Sequence, residues 1–425
     1  MNIIDQNNNL RKSGIDIYTL DNGLRVVFEQ NKHLSAVTVG VWIKVGSRDE
    51  DASNNGIAHM IEHMLFKGTK KMTAEQLAVR TAIMGGGLNA YTSKENTEVY
   101  CRTLPSCLME AINILGDMIC NSLIDEAELE KEKGVVCEEI DMYKDSPEDS
   151  VHEVLQKKIW HKHPLGYIIS GKKKNVKSYT SAQLKEFMSR YYVAENMVVS
   201  VAGNFNKRET LQWIKDSFAD LRTRKDMEGS LMDNISTPVY RKASFNKVKD
   251  IEQLHMNMAF RAPAFVEEER YVATIVNAIL GGDVNSRLFQ GIREKYGLTY
   301  SVYSYGSSFS DTGLMHIYAA MNPQQQEKVY QLIMDIISDL KVKGITQTEL
   351  KNARQQTVVE MTLNRDSTSS LMSANAKNIM YDIPLIPFDE KISKLMSIKK
   401  ADISEYIDKY LCVEDISVGL IGPNI

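Results

Sequence analysis

The chain has 425 residues, 43% of them hydrophobic and 25% charged, with a net charge of −4. That length exceeds one ordinary core and implies more than one domain, and the composition excludes disordered and fibrous classes. The slight acidity gives no electrostatic case for nucleic acid, and no stretch approaches the roughly 20 apolar residues of a membrane span. The five cysteines, Cys101, Cys107, Cys120, Cys137 and Cys412, are odd in number and form no CxxC pair, which argues against a disulfide scaffold or a cysteine zinc site. The opening MNIIDQNNNLRKSG lacks a secretory or import pattern, so a cytoplasmic location is the expectation.

From Ile15 to Lys44 apolar residues alternate in strand fashion around an Asp21-Asn22-Gly23 turn, which predicts an opening hairpin. Helical patterns follow over 54–67, 74–85, 105–120, 125–144 and 180–192, interrupted by a strand at 97–104, and VVSVAGNF at 198–205 reads as a closing strand. A polar passage containing Gly229, Ser230 and Pro238 reads as a linker. We therefore expect an N-terminal domain over 1–222, a linker over 223–243 and a C-terminal domain over 244–425. The second half repeats the plan: LHMNMAFRA and then YVATIVNAIL, a Gly-rich turn, LTYSVYSYG, GLMHIYAAM, two long helical stretches and ISVGLIGP, an echo of VVSVAGNF. Two halves related by duplication is the economical reading.

The run Gly56-Ile57-Ala58-His59-Met60-Ile61-Glu62-His63-Met64-Leu65-Phe66 suits a helix of about three turns, capped by Ser53 or Asn54 and ended by Gly68. It is apolar on nearly every side, yet His59, Glu62 and His63 share one stripe at i, i+3 and i+4. Burying three unpaired ionisable groups costs several kcal/mol, so they require a metal or a tight network. Two histidines one turn apart suit a tetrahedral zinc, and the glutamate between them suits a base; His-x-x-Glu-His is the inverted order of His-Glu-x-x-His. Such a short match also arises by chance in long chains; the apolar surroundings are what raise it.

A catalytic zinc usually takes a third protein ligand. In DEAELEKEKGVVCEEIDMYK, Leu129, Val136, Ile140 and Tyr143 define an apolar stripe that includes Glu132 and Glu139, with Glu138 on the opposite side. Glu139 is thereby expected to face inward, and Glu132, two turns away, can orient a ligand. An ordinary solvated acidic helix offers similar residues, so spacing alone leaves the choice open. His161 and His163 in WHKHPLG read as a solvated surface pair, and the isolated His33, His152, His255 and His316 receive no role.

These residues resemble the pitrilysin or insulinase family of zinc metallopeptidases, and in particular its bacterial branch similar to the mitochondrial processing peptidase beta subunit. The likeness runs through nearly the whole chain and is most specific in HMIEHMLFKGT and VVCEEIDMYKDSP. It implies one zinc ion per chain on His59, His63 and Glu139, Glu62 as catalytic base, and Glu132 as a supporting carboxylate. GGGLNAYTSKENTEVY resembles the family's edge strand, where substrate peptide adds beside Asn89 and Ala90; read without the family, Gly85-Gly86-Gly87 is a flexible turn. SRLFQGIREKYGLTYSVYS resembles the segment whose Arg and Tyr, here Arg293 and Tyr300, bind substrate and steady the tetrahedral intermediate.

The implied fold is α+β: two homologous domains, each a mixed β-sheet covered by helices. The implied activity is that of a zinc metalloendopeptidase on unfolded peptides or presequence-like segments. A dimer is also implied, with a homodimer as first choice and a zinc-less partner as the alternative. Two rival functions stand beside this one, a non-catalytic subunit of a heterodimeric peptidase and a zinc hydrolase of a non-peptide substrate. Neither nucleic acid nor membrane is expected as a partner.

Overall fold

The computed structural model describes residues 2–3, 14–226 and 236–424. In chain order the first part contains β1 (Asn2–Ile3), β2 (Ile15–Thr19), β3 (Arg25–Gln30), β4 (Val37–Ile43), α1 (Ile57–Leu65), α2 (Ala74–Ile83), β5 (Gly87–Thr92), β6 (Thr97–Thr103), α3 (Leu108–Asn121) and α4 (Glu126–Asp145). There follow α5 (Pro147–Ile159), α6 (Lys173–Ser178), α7 (Ser181–Tyr191), β7 (Met197–Gly203) and α8 (Lys207–Ser217). Beyond them lie β8 (Ser244–Val248), β9 (Leu254–Ala262), α9 (Glu269–Leu280), β10 (Thr299–Ser308), β11 (Gly313–Met321), α10 (Gln326–Lys343), α11 (Gln347–Asn364), α12 (Thr368–Met380), α13 (Phe388–Ser397), α14 (Lys400–Tyr410) and β12 (Ser417–Gly422). The opening hairpin forms as expected, with β2 antiparallel to β3 across Asp21-Asn22-Gly23.

The strands form two sheets, ordered β1-β2-β3-β7-β4-β6-β5 and β10-β11-β9-β12-β8. Their plans coincide. In the first, β7 returns parallel to β3 and antiparallel to β4, followed by antiparallel β6 and β5. In the second, β12 returns parallel to β8 and antiparallel to β9, followed by antiparallel β11 and β10. The repeat read from two short apolar runs thus extends to strand order and direction. In both sheets the last strand of the series, β5 or β10, is an edge.

The chain divides into two compact units that are interleaved in sequence: Met1–Ile140 with Tyr167–Ile235 and Leu363–Phe388, and Asp141–Gly166 with Ser236–Thr362 and Asp389–Ile425. This differs from contiguous domains at 1–222 and 244–425, and residues 227–235 of the expected linker lie outside the described residues. The reason is burial of two apolar helix stripes. On α5, Val151 packs with Tyr318, Ala320 and Ile421, while Leu155 and Ile159 pack with Ala259 and Leu314, so this first-half helix covers the second sheet. On α12, Met372, Ala376 and Met380 pack with Val27, Trp42 and Val198, so this second-half helix covers the first.

Strands β4 and β7 are buried along their whole length, as expected of central strands covered on both faces. The face opposite α12 carries the main core of the first unit, including Met60, Ile61 and Met64 of α1 and Ile112, Leu115 and Met118 of α3. Gly40 lets α12 approach: a Cβ there would lie 2.5 Å from Met372 Sδ. Buried hydroxyls tie the layers, with Thr38 Oγ1 2.7 Å from Thr368 Oγ1 and Ser200 Oγ donating to the Met372 carbonyl at 2.9 Å. Among the described residues no helix is long and apolar enough to cross a membrane, and all five cysteines are free.

Met372 is fully buried between α12 and the sheet. Met372→Ala is expected to lower the unfolding free energy of the first unit by about 2–5 kcal/mol. Denaturant titration checks this; a change well under about 1 kcal/mol would show that α12 does not need this contact.

Candidate metal centre

The stripe of ionisable groups lies on a helix held at its start by a carboxylate remote from the expected caps. Helix α1 begins after Gly56, whose φ of 106° is left-handed and where a Cβ would lie 2.9 Å from the Ser170 carbonyl oxygen and from Gly171 Cα. Ser53 and Asn54 do not cap it; both bond with Asp51 instead. The buried Glu50 accepts from the Gly56 N–H at 2.8 Å, the Ala58 N–H at 2.9 Å and the Asn55 amide at 2.8 Å. Orphan donors of the first turn are thereby satisfied, and the negative charge sits at the positive end of the helix. Burial nevertheless pushes Glu50 up to about 7 against these three hydrogen bonds.

His59, His63 and Glu139 converge. Their ligand atoms all lie within 4.8 Å of one another, the one such group among the described residues. His59 Nε2 stands 3.6 Å from Glu139 Oε1 and His63 Nε2 3.4 Å from Glu139 Oε2. A tetrahedral zinc with bonds of about 2.0–2.1 Å spaces its ligand atoms about 3.3–3.4 Å apart, close to these separations. Two imidazoles and a carboxylate are also the donor types such an ion takes, so the residues fit it. On α4, Glu139 is half-buried and Glu138 exposed. The apolar stripe ends sooner than expected, at Ile140, since Tyr143 is 36% exposed.

The surroundings orient one histidine more firmly than the other. His63 Nδ1 lies 2.8 Å from Glu132 Oε1, and Glu132 Oε2 lies 2.6 Å from Lys67 Nζ, which directs His63 Nε2 toward Glu139. His59 Nδ1 is buried with no hydrogen-bond partner among the described residues. Burial, reinforced by the neighbouring His63, pushes His59 down to about 4, so it stays neutral and free to coordinate. Burial also opposes charge on His63, but its hydrogen bonds to Glu132 and Glu139 outweigh it and raise the group to about 9. A metal ion bound on these residues would have to displace that proton.

Glu62 accepts a hydrogen bond from the Thr92 hydroxyl, and burial raises its pKa. Thr92 closes β5, the edge strand, on which Asn89 is exposed and Ala90 half-buried. The Asn89 side-chain oxygen accepts from the Ala90 N–H at 2.9 Å, so this backbone donor of the edge is held by its own neighbour. Lys67, Thr92 and Glu50 were not singled out from sequence. Lys67 is four residues after His63, a spacing that places it on the same helical stripe, whereas nothing in linear spacing marks Thr92 or Glu50.

In the second unit Arg293 and Tyr300 come together. The guanidinium lies over the Phe289 ring at 4.7 Å and the Tyr300 ring at 4.9 Å. Arg293 belongs to a π-helical turn, Phe289–Glu294, and Tyr300 to an irregularity of β10 between Thr299 and Ser301, which leaves its ring 77% exposed. Of the other histidines, His33 and His161 are exposed, the latter as expected, but the rest are drawn into contacts. His163 is buried, with Nε2 2.7 Å from the Ser236 carbonyl oxygen, because the chain turns back over it. His152, His255 and His316 gather with tyrosines: His152 Nδ1 lies 2.6 Å from the Tyr305 hydroxyl and His255 Nδ1 2.7 Å from that of Tyr318. The ring of His316 stacks on Tyr305.

The two-unit α+β fold and the inverted His-x-x-Glu-His helix with its distant glutamate define a class, that of zinc-site proteins of the metallopeptidase type. Residues 25–173 match the insulinase family, peptidase family M16, and residues 178–357 match its M16 inactive domain. A Bacillus subtilis protein named as an uncharacterized zinc protease is 37% identical over 96% of this chain and 98% of its own length. One from Streptomyces coelicolor, named in the same way, is 32% identical over 95% and 89%. The crystal structure of a protease from Helicobacter pylori superposes with a TM-score of 0.89 at 24% identity, covering 96% of this chain and 99% of that one. The chain belongs to the insulinase family, peptidase family M16.

Removing the Glu50 carboxylate strands three donors at the start of α1. Glu50→Ala is expected to destabilise the first unit by about 1–3 kcal/mol. Denaturant unfolding reads this, and a neutral result would show that water replaces Glu50 at no cost.

Proposed function

We propose that the protein is a zinc-dependent endopeptidase acting on unfolded peptides, with His59, His63 and Glu139 as metal ligands and Glu62 as general base. The observation that carries this is the convergence of three ligand atoms on α1 and α4 with Glu62 on the same helical stripe, bonded to the end of an exposed edge strand. Zinc, when bound, supplies Lewis-acid polarisation of a carbonyl and acidifies water. Glu62 takes the proton of the attacking water and delivers it to the leaving amine, and burial favours this by keeping its pKa above the ordinary carboxylate value. Thr92 holds the carboxylate in place. The open side of β5 offers backbone groups with which an extended peptide can pair, Ala90 exchanging its bond with Asn89 for one with substrate.

Glu132, braced by Lys67, fixes the His63 ring. Arg293 and Tyr300 enter the proposal through the family likeness as donors to substrate and to the developing oxyanion, and their mutual stacking and exposure suit that role. Association of two copies, cytoplasmic location and presequence-like substrates belong to the same reading.

The deciding experiment measures bound zinc and cleavage of a peptide library. Glu62→Gln is expected to retain zinc and lose cleavage by about 10²–10⁴-fold. Wild type that binds zinc and cleaves nothing would favour the non-catalytic subunit instead, and cleavage unchanged in Glu62→Gln would refute the base. Separately, Glu132→Ala is expected to weaken zinc about 10–100-fold in competition with a chelator. Unaltered affinity would remove Glu132 from the site.

A further inference from the structure

The two histidines of α1 are held in different ways. His63 is oriented by a side chain, since its Nδ1 lies 2.8 Å from Glu132 Oε1 and Lys67 braces that carboxylate. His59 has no counterpart. Its Nδ1 is buried without a hydrogen-bond partner among the described residues, and its Nε2 stands 3.6 Å from Glu139 Oε1. A metal-binding histidine ordinarily donates its second ring N–H to a carboxylate or carbonyl, which fixes the orientation of the ring. Without that bond, His59 is aimed by the packing around it and by the backbone that carries it.

That backbone is gripped by one buried carboxylate. Glu50 Oε1 accepts from the N–H of Ala58, the residue before His59, while Oε2 accepts from the Gly56 N–H and the Asn55 amide. The grip is itself seated. The Asn55 amide also donates to the Ile168 carbonyl at 2.8 Å, and the Asn55 carbonyl accepts from the Asn175 amide at 3.2 Å and the Tyr179 hydroxyl at 2.9 Å. Gly171 passes so close that a Cβ on it would lie 2.3 Å from the Asn55 carbonyl oxygen. His59 lies in the first turn of α1, the turn so held, and His63 lies one turn further on.

We infer that Glu50 is a positioning residue of the metal centre: by fixing the first turn of α1 it sets His59 Nε2 in the geometry that zinc requires, the part that Glu132 plays for His63. The inference rests on the metal ligands proposed above. Capping alone and positioning differ in their consequences. A cap sets the stability of the helix, whereas a positioning residue also sets metal affinity in protein that is fully folded.

The test compares full-length wild type, Glu50→Gln and Met372→Ala, each kept below its unfolding transition. Glu50→Gln preserves the shape of the side chain but leaves one oxygen to serve three donors. Met372→Ala loses stability on the face of the sheet away from α1, and so shows what destabilisation does by itself. Zinc affinity is read by competition with a chelator, and ligand geometry by the visible absorption of the cobalt(II)-loaded protein. Glu50→Gln is expected to weaken zinc about tenfold and to alter the cobalt spectrum, while Met372→Ala changes neither. In a His59→Ala background the loss caused by Glu50→Gln is expected to vanish, because the two residues act as one unit. Affinity and spectrum unchanged in Glu50→Gln, or the same tenfold loss with His59 absent, would overturn the inference and leave the metal site standing. Wild type that binds no zinc would overturn the metal reading and this inference together.

Discussion

Three ionisable side chains on a helix sunk in an apolar core are the constraint around which the first unit is organised. Met60, Ile61 and Met64 anchor α1 against the sheet, with His59 buried and Glu62 and His63 partly buried beside them. Glu62 and His63 are each matched by a group from a different element. Glu50 secures the start of the helix, Thr92 of β5 holds Glu62, and Glu132 of α4 with Lys67 holds His63. His59 Nδ1 is the exception, buried without a partner, and its ring is positioned by packing on the helix and by its approach to Glu139. Burial costs are met by convergence, and convergence is what creates a metal-sized gap.

The carboxylates of this region share a second property. Glu98, Glu62, Glu139 and Glu132 each feel the charge of the next, while Lys67 pairs with Glu132 and His63 bonds both Glu132 and Glu139. His63 responds by holding its proton to about 9, and Glu98 by rising to about 7. Both responses follow from carboxylate charge held away from water.

Duplication explains how such a site arises once in a chain whose plan occurs twice. Both sheets run in the same order and directions and end in an edge strand. The first edge, β5, ends at the candidate metal centre, where Thr92 bonds Glu62; the second, β10, carries the exposed Tyr300 stacked on Arg293. The second half lacks a His-x-x-Glu-His of its own and matches the family's inactive domain. Each sheet is also covered on one face by a helix from the other half of the sequence, α12 on the first and α5 on the second. Neither unit can therefore complete its core from one continuous half.

The sequence alone determined whatever is periodic or local. Helix α1 and its stripe follow from spacing at i, i+3 and i+4, the opening hairpin from Asn22-Gly23, and the inward phase of Glu139 against the outward phase of Glu138 from the apolar stripe of α4. Those features depend on the 3.6-residue and two-residue repeats of the backbone, which the order of residues displays directly. What depended on contacts distant in sequence was decided only by the tertiary structure. Glu50 reaches the start of α1 from outside any cap motif, Thr92 meets Glu62 because β5 passes over the helix, and His152, His255 and His316 gather around tyrosines from separate strands. The compact units are interleaved because α5 and α12 bury their stripes on whichever sheet lacks a cover. The unpaired Glu98 oxygen, on the residue opposite Tyr91, exists only once β5 and β6 are in register, because the lack of a partner is a property of three-dimensional surroundings that no spacing encodes.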